Sequence, residues 1–116
     1  MGTGRFRKRV FTQGPLTVAV DERGGDLAVV TPAGELDMAT APRLDQALRR
    51  AEQRYDVLVL DLGRLTFIDS SGIRTIFRTA QRAREGLFAF SIKPGPPAVM
   101  HTLDLLGLTA QLPIHG

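Results

Sequence analysis

The 116-residue chain contains no cysteine, which excludes disulfide staples, zinc–thiolate centres and a thiol nucleophile. No apolar run approaches the ~20 residues that a helix needs to span a bilayer, so no membrane insertion is expected. The basic N-terminal stretch has no apolar segment behind it; a secretory signal is therefore not expected, and a cytoplasmic location is. The two histidines, His101 and His115, stand apart and define no metal site. Neither a phosphate-cradling Gly-x-x-x-x-Gly-Lys loop nor a Gly-x-Ser-x-Gly nucleophile elbow occurs. These absences argue against an enzyme and call for no cofactor and no metal. There is also no tryptophan, no internal repeat and no low-complexity tract.

What is present fits one ordinary globular domain, with 43% hydrophobic and 23% charged residues. The formal charge is +3, and its distribution is uneven. Arg5, Arg7, Lys8 and Arg9 fall within the first fifteen residues, where no acid occurs. Without those four, the eleven remaining basic residues fall one short of the twelve acidic ones. Residues 1–15, broken by Gly2, Gly4 and Gly14-Pro15, read as a basic, flexible extension ahead of a domain over 16–116. A nucleic-acid-binding arm is the sharper reading of that charge. With only Phe6 and Phe11 between the basic residues, a solubilising extension is favoured and no direct nucleic-acid binding is expected.

Beyond the extension the punctuation is regular. Leu16–Val20 and Leu27–Val30, the latter extensible to Ala33, read as strands joined through Arg23-Gly24-Gly25-Asp26 in a hairpin. Ala39–Arg54 carries Leu44, Ala47, Leu48 and Ala51 at helical spacing, with Thr40 as N-cap and Pro42 in the first turn. Val57–Leu60 reads as a central strand covered on both sides. A loop from Gly63 to Asp69 leads into a helix from Ser71 to Arg84, lined by Ile73, Ile76, Phe77 and Ala80 and closed by Glu85-Gly86. Leu87–Ile92 is the next strand. Pro94-Gly95-Pro96-Pro97 then feeds a third helix ending at Gly107, its apolar side formed by Val99, Leu103 and Leu106 beside Met100. Thr109–Leu112 reads as a last strand. The order β-β-α-β-α-β-α-β predicts an α/β fold, a mixed sheet carrying helices through right-handed crossovers.

Two segments each follow a strand and precede a helix: Gly34-Glu35-Leu36-Asp37 and Thr66-Phe67-Ile68-Asp69-Ser70-Ser71-Gly72. Such connections gather at one end of a partly parallel sheet, where α/β proteins build sites. Ser70 falls at the start of a helix, whose free amides and dipole favour an anion. On this segment alone, Asp69 and Ser70 read equally as ordinary caps, and Gly72 as a tight turn. Arg74, Arg78 and Arg82 recur every four residues beside the apolar stripe. A solvated face is the default for Arg82, and partner contact is expected for Arg74, within a turn of Ser70.

Taken together, the two segments resemble the STAS domain of bacterial anti-sigma factor antagonists, over essentially Leu16 to Leu112 and including Asp104-Leu105-Leu106-Gly107-Leu108. The resemblance implies a mixed sheet with helices mainly on one face, and a partner-switching role in transcription. The unphosphorylated antagonist of that family binds an anti-sigma factor that is itself a serine kinase, and the sigma factor is freed. Phosphorylation of the serine after the aspartate, here Ser70, ends the complex, and a PP2C-type phosphatase resets it. By the same resemblance Asp37, Asp69, Ser71, Gly72 and Arg74 belong to the partner-binding face. Arg74 departs from the small or apolar residue common there. STAS domains also serve as non-switching subunits of lipid-transport or stress-signalling assemblies, which is the alternative reading.

Overall fold

A computed structural model describes residues 6–115. In chain order the elements are β1 (Phe6–Gln13), β2 (Leu16–Arg23), β3 (Leu27–Leu36), α1 (Ala41–Arg54), β4 (Val57–Asp61), β5 (Leu65–Ile68), α2 (Ser70–Arg84), β6 (Ala89–Lys93) and α3 (Pro97–Leu105). A 3₁₀ turn at Thr109–Gln111 follows. The sheet runs β1-β2-β3-β4-β6. The β1–β2 and β2–β3 pairs are antiparallel, and β3–β4 and β4–β6 are parallel. The mixed α/β sheet expected from the sequence is therefore observed.

Three elements differ from expectation. Residues 6–13, placed by their charge in a flexible extension, pair with β2 along its whole length, from Phe6 opposite Arg23 to Gln13 opposite Leu16. Gly14-Pro15, which reads as a break, is the hairpin turn, with Gly14 at φ +57°. Residue 16 is thus no boundary of the sheet. Second, the expected loop from Gly63 to Asp69 contains β5. Because β2 occupies one edge of β3, β4 and β5 must share the other, β4 against Leu27–Val30 and β5 against Gly34–Leu36. Third, the strand expected over Thr109–Leu112 is the 3₁₀ turn, and only a single parallel bridge joins Ile114 to Ile92.

Strand β5 escapes a period-2 pattern because of a bulge. Leu65 pairs with Gly34 and Phe67 with Glu35, so Thr66 is the extra residue. The Thr66 hydroxyl donates to the Gly34 carbonyl at 3.1 Å, and the Gly34 amide to the Arg64 carbonyl at 3.1 Å. The bulge lets Leu65 and Ile68, three apart, both turn into the core. Gly34 has φ +112°, and a Cβ there would lie 2.0 Å from the Pro15 carbonyl oxygen.

Leu16 and Val18 of β2, Ala28 and Val30 of β3, Leu58 and Leu60 of β4 and Ile92 of β6 form one inward face, completely buried. The helices cover it with Leu44, Ala47, Leu48 and Ala51 of α1, Ile73, Ile76 and Ala80 of α2, and Val99 and Leu103 of α3. Each large side chain here contributes roughly 1.5–3 kcal/mol relative to exposure. With helices on one face only, β4 is not covered on both sides: Val57 is 38% exposed and Val59 half-buried. Leu106, expected to line α3, lies past its end and is exposed. Gly86 closes α2 as expected, with φ +85° and its amide bonded to the Ala83 carbonyl at 2.9 Å.

Candidate functional site

The two segments singled out in the sequence meet at the C-terminal ends of β3 and β5. Leu36 and Ile68 are register partners, and the Asp69 amide donates to the Leu36 carbonyl at 3.1 Å. Asp37 and Asp69 are the next residues on each chain, so they leave the sheet side by side.

Each aspartate is committed to its own loop. Asp37 Oδ1 accepts from the amides of Ala39 at 2.9 Å and Thr40 at 3.0 Å. The Asp37 carbonyl takes the Ala41 amide at 2.7 Å, starting α1. Thr40 caps nothing with its side chain, contrary to expectation. Its buried hydroxyl turns back, accepting from the Asp37 amide at 2.9 Å and donating to the Glu35 carbonyl at 2.8 Å. Asp69 is the N-cap of α2: Oδ1 accepts from Ser71 N at 2.8 Å and Gly72 N at 3.3 Å, and its carbonyl takes the Ile73 amide at 3.0 Å.

Ser70 is therefore the first residue of α2, exposed, on a loop locked from both sides. Asp69 already holds the amides of Ser71 and Gly72, so of the free amides expected in the first turn only that of Ser70 is left for an anion. Ser71 is half-buried and its carbonyl accepts from the Thr75 hydroxyl at 3.2 Å. Gly72 serves packing rather than a turn. A Cβ at this position would lie 2.6 Å from Leu36 Cγ and 3.0 Å from Ile68 Cγ1, so only glycine brings α2 this close to the strand ends. Arg74 is exposed one turn beyond Ser70.

Two residues that carry no assigned role in the sequence reading stand beside these. Met38, next to Asp37, is 77% exposed, and Phe67, two residues before Asp69, is 48% exposed. Exposed apolar groups flanking a rigid polar loop are characteristic of a contact surface. The detectable signal was a methionine between two helix-start residues, where local chemistry asks for a polar one. Arg82, expected on a solvated face, instead bonds Glu52 of α1, with Nε 2.6 Å from Oε1 and both side chains largely buried (17% and 10% exposed). It joins the two helices behind the site.

A STAS-domain family model matches residues 17–115. The chain belongs to the STAS family. Among solved structures, this STAS domain is similar to an anti-sigma factor antagonist from Mycobacterium paratuberculosis, at 28% identity over 90% of each chain, with a TM-score of 0.77. It shares its fold with the anti-sigma factor antagonist SpoIIAA in unphosphorylated form, at 17% identity over 96% of this chain and 88% of that one (TM-score 0.65). The phosphorylated form of SpoIIAA, a Bacillus cell fate determinant, is matched at 16% identity over 96% and 91% (TM-score 0.61). Among the described residues of the STAS domain, no helix is long and apolar enough to cross a membrane.

Proposed function

We propose that this STAS domain is an anti-sigma factor antagonist whose binding face is the loop pair around Asp37 and Ser70, and that phosphorylation of Ser70 switches it off. The observation that carries this reading is the exposed Ser70 at the start of α2, held beside Asp37 by the Leu36–Asp69 hydrogen bond. The partner is an anti-sigma factor with serine-kinase activity, and a PP2C-type phosphatase restores the free hydroxyl. Asp37, Asp69, Ser71, Gly72 and Arg74 form or shape the contact, with Met38 and Phe67 as its apolar anchors. The switch acts in the cytoplasm on transcription.

The geometry supports a surface switch over a refolding one. A phosphate adds about −1.5 to −2 charge and three acceptor oxygens. Asp69 already binds the Ser71 and Gly72 amides, so the new charge finds at most the single Ser70 amide and stays on the exposed side of the loop, near the Asp37 and Asp69 carboxylates. It repels an acidic partner group and adds bulk at the centre of the contact, while the cap and core of α2 stay intact. SpoIIAA has been solved in both phosphorylation states on one fold, which supports the same tolerance here.

Incubating the protein with ATP and a candidate anti-sigma factor kinase, then mapping phosphate by mass spectrometry, tests the reading. A single phosphate on Ser70 is expected, with Ser70→Ala still bound to the kinase and no longer released. Phosphate elsewhere, or none with any candidate kinase, overturns it.

A further inference from the structure

A second surface lies at the other end of α1. The Val57 amide donates to the Asp26 carbonyl at 3.0 Å, which places the end of α1 and its Tyr55 beside the β2–β3 turn, away from Ser70. Here the C-terminal half of α1 and strands β1 and β2 enclose a small cleft of about 40 Å³, open at its mouth. Val20, Ala47 and Ala51 form an apolar floor. Arg9, Arg50 and Arg54 form the rim, all three exposed. The one acidic group lining the cleft, Glu22, accepts the Tyr55 hydroxyl at 2.7 Å.

The cleft borders an open sheet edge. Strand β1 is terminal in the sheet: β2 pairs with one side along all eight residues, and no strand among the described residues takes the other. Its sequence holds Arg7, Lys8 and Arg9 and no acid. Basic residues on an edge discourage pairing with a second copy, and they favour a strand of opposite charge. The spacing agrees. Arg50 and Arg54 are four apart on a helix, a rise of about 6 Å, while alternate residues of a strand stand about 6.6 Å apart on one face. Carboxylates at every second position of an added strand would meet Arg9 at the edge and then successive α1 guanidinium groups, each able to bind a carboxylate by two hydrogen bonds.

We propose that the β1 edge and the Arg9–Arg50–Arg54 cleft bind an extended acidic segment of a partner protein, with acidic residues at alternate positions, by strand addition. This site is separate from the Ser70 face and does not depend on the reading given to that face.

The test measures fluorescence anisotropy of a labelled eight-residue peptide alternating Glu and Thr, titrated with the full chain at low salt. Binding that weakens with salt is expected, with a peptide of four Glu followed by four Thr binding about tenfold more weakly, since only alternation places the charges on one face. The Arg50→Glu, Arg54→Glu double variant, altered only at exposed positions, should lose about tenfold or more while its circular dichroism is unchanged. Amide exchange in β1 should slow when the peptide is bound. Equal affinity for the two peptides, wild-type affinity in the double variant, or unchanged β1 exchange overturns the proposal. Displacement of the peptide by equimolar pyrophosphate would make the cleft a small-anion site, and tighter binding of single-stranded DNA, lost in the same variant, would make it a nucleic-acid surface; either result also overturns it.

Discussion

The two ends of α1 meet loops built on opposite terms. At its start, Asp37 Oδ1 and the Thr40 hydroxyl hold the backbone, and a serine, an arginine and two apolar side chains are exposed around them. At its end, the backbone turns directly into β4, and the outward groups are long cations around a small apolar floor. The first surface is rigid, and in the proposed reading a single phosphate set among its carboxylates changes it greatly. The second carries three exposed arginines, which suits graded, salt-sensitive attraction. On the two proposals made above, one helix separates a surface that is switched from one that is tuned.

The largest effect expected from breaking this contrast comes from the glycine beneath the switchable end. Gly34→Ala places a methyl group 2.0 Å from a backbone carbonyl at φ +112°, and it should cost about 3 kcal/mol or more in urea unfolding. Gly24→Ala in the β2–β3 turn, at φ +65° with nothing within 4 Å, should cost only about 1 kcal/mol. Equal losses would mean that the strand-end geometry is less constrained than the distances show. At the next level, Thr40→Val keeps the shape and removes the hydroxyl that joins Asp37 to Glu35. It leaves the part-buried Asp37 amide and Glu35 carbonyl without that partner, and about 1 kcal/mol or more should be lost. The same variant should loosen the Asp37 loop, read as faster amide exchange at Asp37 with none gained around Tyr55.

Much of this frame was legible because it rests on local pattern. The stripe Leu44, Ala47, Leu48, Ala51 and the Asp69 cap announce themselves within a few residues, and the Asp37 and Asp69 segments are short enough to be matched by eye. What was not legible depends on distant partners. Strand β1 looks like a tail because its charges suit an edge, and its pairing is visible only once β2 is in place. Strand β5 is hidden by the Thr66 bulge, which spoils the alternation. Gly72 resembles a turn glycine until Leu36 is brought against it, and Arg82 looks solvated until Glu52, thirty residues earlier, arrives beside it. Met38 leaves only the faint signal of a methionine where a polar residue is expected, and Phe67 is informative through its exposure, which no spacing rule reports.

The smallest expected effect probes the cationic end through its tyrosine. Burial raises the Tyr55 phenol above its ordinary value of 10, reinforced by the hydrogen bond to Glu22 and its negative charge, and opposed by Arg54 and Arg9. A raised value means that the folded protein holds this proton where the unfolded chain releases it. The stabilisation is thus complete below pH 10 and declines as pH rises through the folded value. Tyr55→Phe should lose about 1 kcal/mol near neutrality with the hydrogen bond, and it should no longer contribute to the decline above pH 10. Because Arg9 and Arg54 hold the value down, Arg54→Gln should raise it further, shifting the ultraviolet tyrosinate titration, the chain's only tyrosine, to higher pH. The Ser70 end should stay unaffected in both variants. A titration that does not move in Arg54→Gln would show that the guanidinium groups are too far from the phenol to form one field, and with that the cleft would lose the focus that distinguishes it from an ordinary solvated helix end.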